Sequence, residues 1–158
     1  DIKKYFYMKV IDRLIKKRIT ISIAESCTGG LLSSKLTSKK GISKIFKLGV
    51  VSYSNQSKIN ILKVSKKIIA NHGAVSSACC QQMLIGINKI AKSDISIAIT
   101  GIAGPGGSTK KKPIGLVYIG IKYEKFLKVF KYIIKNKGRS YIQKKSVKNA
   151  LYELNKII

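Results

Sequence analysis

The sequence predicts an α/β fold: a three-layer α/β/α sandwich with a mixed, mostly parallel sheet. Three observations carry that expectation. Segments with apolar residues at helical spacing alternate with segments of period two; two strand-like segments share the letters ISIA and each runs into hydroxyl and glycine residues; and two late apolar runs, residues 115–122 and 126–134, lie close enough to pair as a hairpin.

Tyr7, Val10, Ile11, Leu14 and Ile15 stand at i, i+3, i+4, i+7 and i+8, which predicts an amphipathic first helix. Ile19, Ile21 and Ile23 alternate with small polar residues, a strand pattern. Residues 30–38 read as a short helix and GVVSY, residues 49–53, as the second strand. Residues 56–62 suit one or two helical turns, followed by a lysine-rich loop in which His72, between Asn71 and Gly73, sits in a turn. Cys79, Met83, Gly86, Ile87 and Ile90 share a helical face, with Ser76 placed to cap its start. Ile95, Ile97 and Ile99 make the third strand, the hairpin follows a glycine-rich loop, and Val147, Ala150, Leu151 and Leu154 stripe a last helix. Helices between strands cover a sheet on both faces.

With 158 residues, 45% of them hydrophobic, the chain suffices for one well-buried core, so residues 1–158 are read as a single domain. No run approaches the roughly 20 apolar residues of a membrane helix, and DIKKYFYMKV lacks the apolar stretch of a signal peptide. A cytoplasmic protein with no membrane partner is expected. The three cysteines form neither a CxxC pair nor a zinc spacing, so reduced thiols and no metal are expected. The formal charge of +26 invites a nucleic-acid reading, yet only Arg13, Arg18 and Arg139 among the 32 basic residues are arginines. The lysines are scattered among isoleucines, as in a genome rich in A and T. Base-reading surfaces favour arginine beside exposed aromatics, so salt-sensitive adhesion to polyanions is expected and specific nucleic-acid binding is not.

In open α/β sheets ligands sit beyond the carboxyl ends of strands, where loops enter helix N-termini. Ser26, in AESCTGG, and Thr100, in ITGIAGPGG, both occupy such places. Gly29 and Gly30 let backbone approach an anion closely; the plainer reading is a helix cap followed by packing glycines. A serine nucleophile needs a base. His72 lies in a turn, and Glu25, next to Ser26 on an extended chain, points to the opposite face. Lysine remains, in the Ser-Lys arrangement, provided burial or neighbouring charge lowers its pKa. Composition does not choose among 29 lysines, but Lys58 in YSNQSK is the best placed, one helical turn past Ser54 after the second strand. Cys27 is a rival nucleophile without an imidazole nearby, and Cys79 and Cys80 read as small core residues.

AESCTGG (residues 24–30), YSNQSK (53–58), HGAVS (72–76) and TGIAGPGG with the following KPIG (100–115) strongly resemble the C-terminal domain of the competence/damage-inducible protein CinA. Stand-alone members of that family are the nicotinamide-mononucleotide amidohydrolases called PncC. The resemblance implies hydrolysis of the nucleotide's carboxamide to nicotinate mononucleotide and ammonia, with no cofactor and no metal, by a homo-oligomer whose partner is the small-molecule nucleotide. Carried onto matching positions, it makes Ser26 the nucleophile, Lys58 the general base, and Tyr53 a hydroxyl that relays a proton or orients the amide. Thr100 and Gly101 would face the substrate, backbone N–H groups around Thr28, Gly29 and Gly30 would bind an oxyanion or the phosphate, Arg139 would hold the phosphate, and Asn55 would shape the loop that positions Lys58. The chain departs from the family in three places: the family's Gly-Asp-Arg reads Lys137-Gly138-Arg139, Gln143 stands where a second basic residue is usual, and Leu48 replaces a glycine before GVVSY. No counterpart of the family's separate N-terminal domain, and none of its activity, is expected here. The alternative reading is a non-catalytic interaction module related to competence or the DNA-damage response.

Overall fold

The computed structural model describes residues 2–158, with side chains from Tyr7 onward. The elements are α1 (Ile2–Lys17), β1 (Ile21–Glu25), α2 (Leu31–Thr37), β2 (Phe46–Val51), α3 (Asn55–Asn60), α4 (Lys66–His72), α5 (Ser77–Ala91), β3 (Ile95–Gly101), β4 (Leu116–Tyr123), β5 (Phe126–Ile133) and α6 (Arg139–Ile157). They build one five-stranded sheet in the order β2-β1-β3-β4-β5, covered on both faces.

The sheet is evenly mixed, not mostly parallel. β1 pairs in parallel with β2 and β3, whereas β3–β4 and β4–β5 are antiparallel. The reason lies in the connections. A parallel neighbour needs a crossover, which α2 and then α3 to α5 supply; β3 is followed by a glycine-rich loop with no helix, so the chain can only turn back.

Alternation along the strands sorts the two cores. Ile21 and Ile23 of β1, in register with Ile95 and Ile97 of β3, join Val10, Leu14, Leu32, Leu36 and Leu151 under α1, α2 and α6. The other face carries Ala24 and Ala98, clustered with Cys80, Met83 and Leu84 of α5. Small strand residues let that helix come close: a Cβ on Gly120 of β4 would stand 3.1 Å from Leu84 Cδ2. Each buried Leu or Ile contributes about 1.5–3 kcal/mol, so the two clusters dominate stability. The polar residues between the isoleucines are buried as well. Ser22 Oγ lies 3.0 Å from Ser96 Oγ and 2.6 Å from Ser93 Oγ, and Asn88 donates to Ser96 at 3.0 Å.

Ser76 caps α5 as expected, its hydroxyl accepting from Cys79 N at 3.1 Å. Two expectations are corrected. The lysine-rich loop holds a helix, α4, started by the Ser65 hydroxyl accepting from Lys67 N; it has no fully buried residue, so it carries no clear apolar stripe, and His72 is its last residue. The second strand begins at Phe46 and ends at Val51, which leaves Ser52 and Tyr53 past its end, in the connection to α3.

Gly86 of α5 lies against the carbonyl of Leu62, where a Cβ would come within 2.1 Å of Leu62 O. Alanine gains up to ~1 kcal/mol of helix propensity over glycine, but this contact is with backbone and does not yield easily. Gly86→Ala is therefore expected to destabilise the fold by about 2 kcal/mol and lower the midpoint of thermal unfolding by about 4–8 °C, as measured by circular dichroism. An unchanged midpoint would show that the segment after α3 gives way freely.

Candidate active site

Parallel pairing of β1 with both neighbours brings three strand exits to one edge of the sheet. Glu25 pairs with Val51 and with Ile99, so Ser26, Ser52 and Thr100 follow side by side. The main-chain exit is itself stitched: Ser52 N donates to Glu25 O at 2.8 Å. Beyond these ends lies a cavity of about 240 Å³, whose lining includes Ser26, Tyr53, Asn55, Lys58, Thr100 and Arg139, together with Ala74 and Val75 before α5 and the loop from Gly101 to Gly107.

Lys58 is the decisive side chain, only 2% exposed. The Ser54 hydroxyl starts α3 by accepting from Ser57 N at 3.0 Å, and the first turn of that helix swings Lys58 inward. Its Nζ lies 2.8 Å from Ser26 Oγ, 2.7 Å from Ser52 O and 3.1 Å from Tyr53 O. As an ammonium, Lys58 donates to all three. As a neutral amine it keeps two N–H groups for the two carbonyls, and its lone pair is left facing the Ser26 hydroxyl. Burial pushes its pKa down from the ordinary 10.5, with the Cys79 and Cys27 sulfurs acting weakly the other way.

The neighbours of Ser26 are otherwise committed. Glu25 is fully buried and faces away from the cavity: its carboxylate accepts from the Thr28 hydroxyl (2.6 Å), Leu32 N (2.9 Å), Ser33 N (2.9 Å) and the Ser33 hydroxyl (2.8 Å). It thereby caps α2, whose own N-cap Gly30 has no side chain to offer. Thr28, Gly29 and Gly30 form the turn into α2 and do not line the cavity; the amides that Glu25 holds are those of Leu32 and Ser33, further along in α2. The Cys27 thiol lines the cavity, but burial pushes it up to about 12, and a protonated thiol is a poor nucleophile.

Thr100, 1% exposed, donates to Ala74 O at 2.9 Å and fastens β3 to the loop before α5. Gly101 must be small, because a Cβ there would meet Leu116 O at 2.9 Å and Cys27 Sγ at 3.1 Å. Asn55 opens α3 on the cavity wall. Tyr53 divides its roles: its carbonyl accepts from Lys58 and its hydroxyl, at the rim, accepts from Arg139 Nη2 at 2.7 Å. Arg139, the first residue of α6, also donates from Nη1 to Gly104 O at 2.7 Å and so bridges two walls. Two participants escape a reading by motif. Glu25 acts as a cap from outside the helix it caps, and Gln143 donates to Cys27 O at 2.9 Å.

The CinA C-terminal domain model matches residues 4–158, with the serine, lysine and glycine-rich segments inside the match. The chain belongs to the CinA C-terminal domain family. A CinA-like protein of Fusobacterium nucleatum is 51% identical over 143 residues, a stretch covering 90% of this chain and 34% of the relative. The chain thus spans about a third of the length of that curated relative. Among solved structures, the competence/damage-inducible protein CihA of Agrobacterium tumefaciens superposes with a TM-score of 0.91 at 33% identity, covering 96% of this chain and 93% of the other. Competence damage-inducible protein A of Klebsiella pneumoniae gives 0.91 at 32% identity, covering 98% and 95%. Among the described residues of this CinA domain no helix is long and apolar enough to cross a membrane.

Proposed function

We propose that this CinA domain is an amidohydrolase that converts nicotinamide mononucleotide to nicotinate mononucleotide and ammonia, a step of pyridine-nucleotide recycling in the cytoplasm. One observation supports the reading above others: a buried lysine amine 2.8 Å from a serine hydroxyl, with carbonyls on its two other contacts. Ser26 Oγ attacks the carboxamide carbon while its proton passes to the neutral Lys58 amine. The two carbonyls then stabilise the ammonium. Lys58 returns the proton to the departing nitrogen, ammonia leaves, and Ser26 carries the acyl group as an ester. Water, losing its proton to Lys58, attacks that ester; Lys58 returns the proton to Ser26 Oγ as the ester bond breaks, and the acid is freed. Thr100 and Gly101 hold the floor against which the ring lies, Asn55 shapes the Lys58 turn, and Tyr53, fixed by Arg139, orients the amide. The turn at Thr28, Gly29 and Gly30 sets the direction of Ser26.

The phosphate falls to Arg139 at the rim, beside the backbone of residues 104–107. A guanidinium grips phosphate bidentately, whereas lysine is a point charge. Arg139→Lys is expected to raise KM for the nucleotide by on the order of tenfold or more while changing hydrolysis of a phosphate-free nicotinamide riboside little. Equal losses on both substrates would remove Arg139 from the phosphate. β5 leaves Phe126, Leu127 and Ile133 exposed on an edge strand, which favours a homo-oligomer built on the hairpin.

Ammonia release from nicotinamide mononucleotide, with nicotinate mononucleotide identified by mass, tests the assignment. No release at micromolar enzyme would overturn this substrate; in the alternative, a non-catalytic module, Ser26 and Lys58 are dispensable.

A further inference from the structure

We infer that Gln143 is a positioning residue for the nucleophile, an inference that rests on the Ser26–Lys58 reading. The turn carrying Ser26 is tied mostly by itself. Ser26 O accepts from Gly29 N at 3.0 Å, Thr28 O accepts from Leu31 N at 3.0 Å, and the Thr28 hydroxyl is held by Glu25. The carbonyl between them, that of Cys27, is held from another layer of the fold: Gln143 Nε2 of α6 donates to it at 2.9 Å across 116 positions of sequence. Arg139 stands one helical turn earlier on the same side of α6 and holds Gly104 O and the Tyr53 hydroxyl. The first two turns of one helix therefore grip three of the loops around the cavity, and Gln143 is the grip on the loop of the nucleophile. Ser26 must stay within hydrogen-bond reach of Lys58 Nζ for proton transfer, and displacements near 1 Å in such constellations cost about 100-fold in rate.

Because Gln143 touches the Cys27 backbone and not the phosphate-binding rim, its loss is expected in kcat with KM preserved. Gln143→Leu and Gln143→Glu both lack the donor, and each is expected to lower kcat for ammonia release by about 10- to 100-fold with KM within about twofold. Gln143→Lys restores a donor and is expected to keep kcat within about threefold of wild type. The same proteins are treated with a fluorophosphonate probe, in which a Ser26 Oγ–phosphorus bond forms, fluoride leaves and Lys58 takes the proton; intact mass reads the labelling rate. The Leu and Glu variants are expected to label about 10- to 100-fold more slowly and the Lys variant near the wild-type rate. If the wild-type chain labels in this pattern yet releases no ammonia from nicotinamide mononucleotide, the substrate reading fails and the positioning role stands. Equal labelling of all four proteins, a loss confined to KM, or a Lys variant as slow as Leu would overturn the role of Gln143. Absence of label on wild-type Ser26 would overturn it together with the nucleophile.

Discussion

Ser26→Ala is expected to reduce ammonia release by on the order of 10⁴-fold or more, since the residual rate of enzymes stripped of a covalent nucleophile comes only from binding and oxyanion stabilisation. The fold should not suffer. Ser26 is 7% exposed on a turn, its side chain belongs to neither apolar cluster, and Lys58 keeps the Ser52 and Tyr53 carbonyls when the hydroxyl is gone. A thermal midpoint close to wild type beside a vanished rate is the pattern to measure. Cys27→Ala supplies the contrast: with its thiol protonated by burial, most activity should remain. A Ser26→Ala protein near normal turnover, or a dead Cys27→Ala protein that still folds, would transfer the nucleophile to the neighbouring position.

Lys58→Arg should be nearly as inactive as Lys58→Ala, a loss of about 10³-fold or more, because a guanidinium stays protonated throughout the working range and offers no lone pair. Charge alone would survive that exchange; proton abstraction would not. The pH profile gives an independent reading. Burial disfavours the Lys58 ammonium, so the acid limb of the rate should rise through a pKa below 10.5. Stability shares the sign. Between the lowered folded pKa and 10.5 the unfolded chain binds more protons than the folded one, so folding stability should climb with pH across that window and stay at its lower level beneath it. Lys58→Met should lose the climb, as measured by urea midpoints at stepped pH. Substantial turnover by Lys58→Arg would leave Lys58 an electrostatic helper and send the base to Tyr53 or a bound water, since Glu25 already accepts four hydrogen bonds from α2 and Thr28.

What could be read without a structure was whatever depends on near neighbours in the chain. Alternation of Ile21 and Ile23, and of Ile95, Ile97 and Ile99, marked two strands, and the serine preceding Cys79 by three positions marked the start of α5. The placement of Ser26 and Thr100 just past strand ends followed, because strands with hydroxyl and glycine exits state their own geometry. α4 went unread because it buries no residue fully and so carries no clear apolar stripe. The balance of the sheet went unread because strand direction depends on whether a connection contains a packing helix, and the loop after β3 had to be seen to turn back.

The sequence by itself determined the strand–turn–helix units and the small set of hydroxyls and amines standing at their junctions. Only the tertiary structure decided which lysine of 29 loses its water, that its three contacts are Ser26 and two carbonyls, that Glu25 caps α2, and that Gln143 reaches Cys27 O. The division is physical. Periodicity records which face of an element is buried, a local property, whereas a pKa and a hydrogen bond depend on what is packed opposite. For Lys58 and Ser26, 32 positions apart, that was settled by β2 and β1 lying side by side.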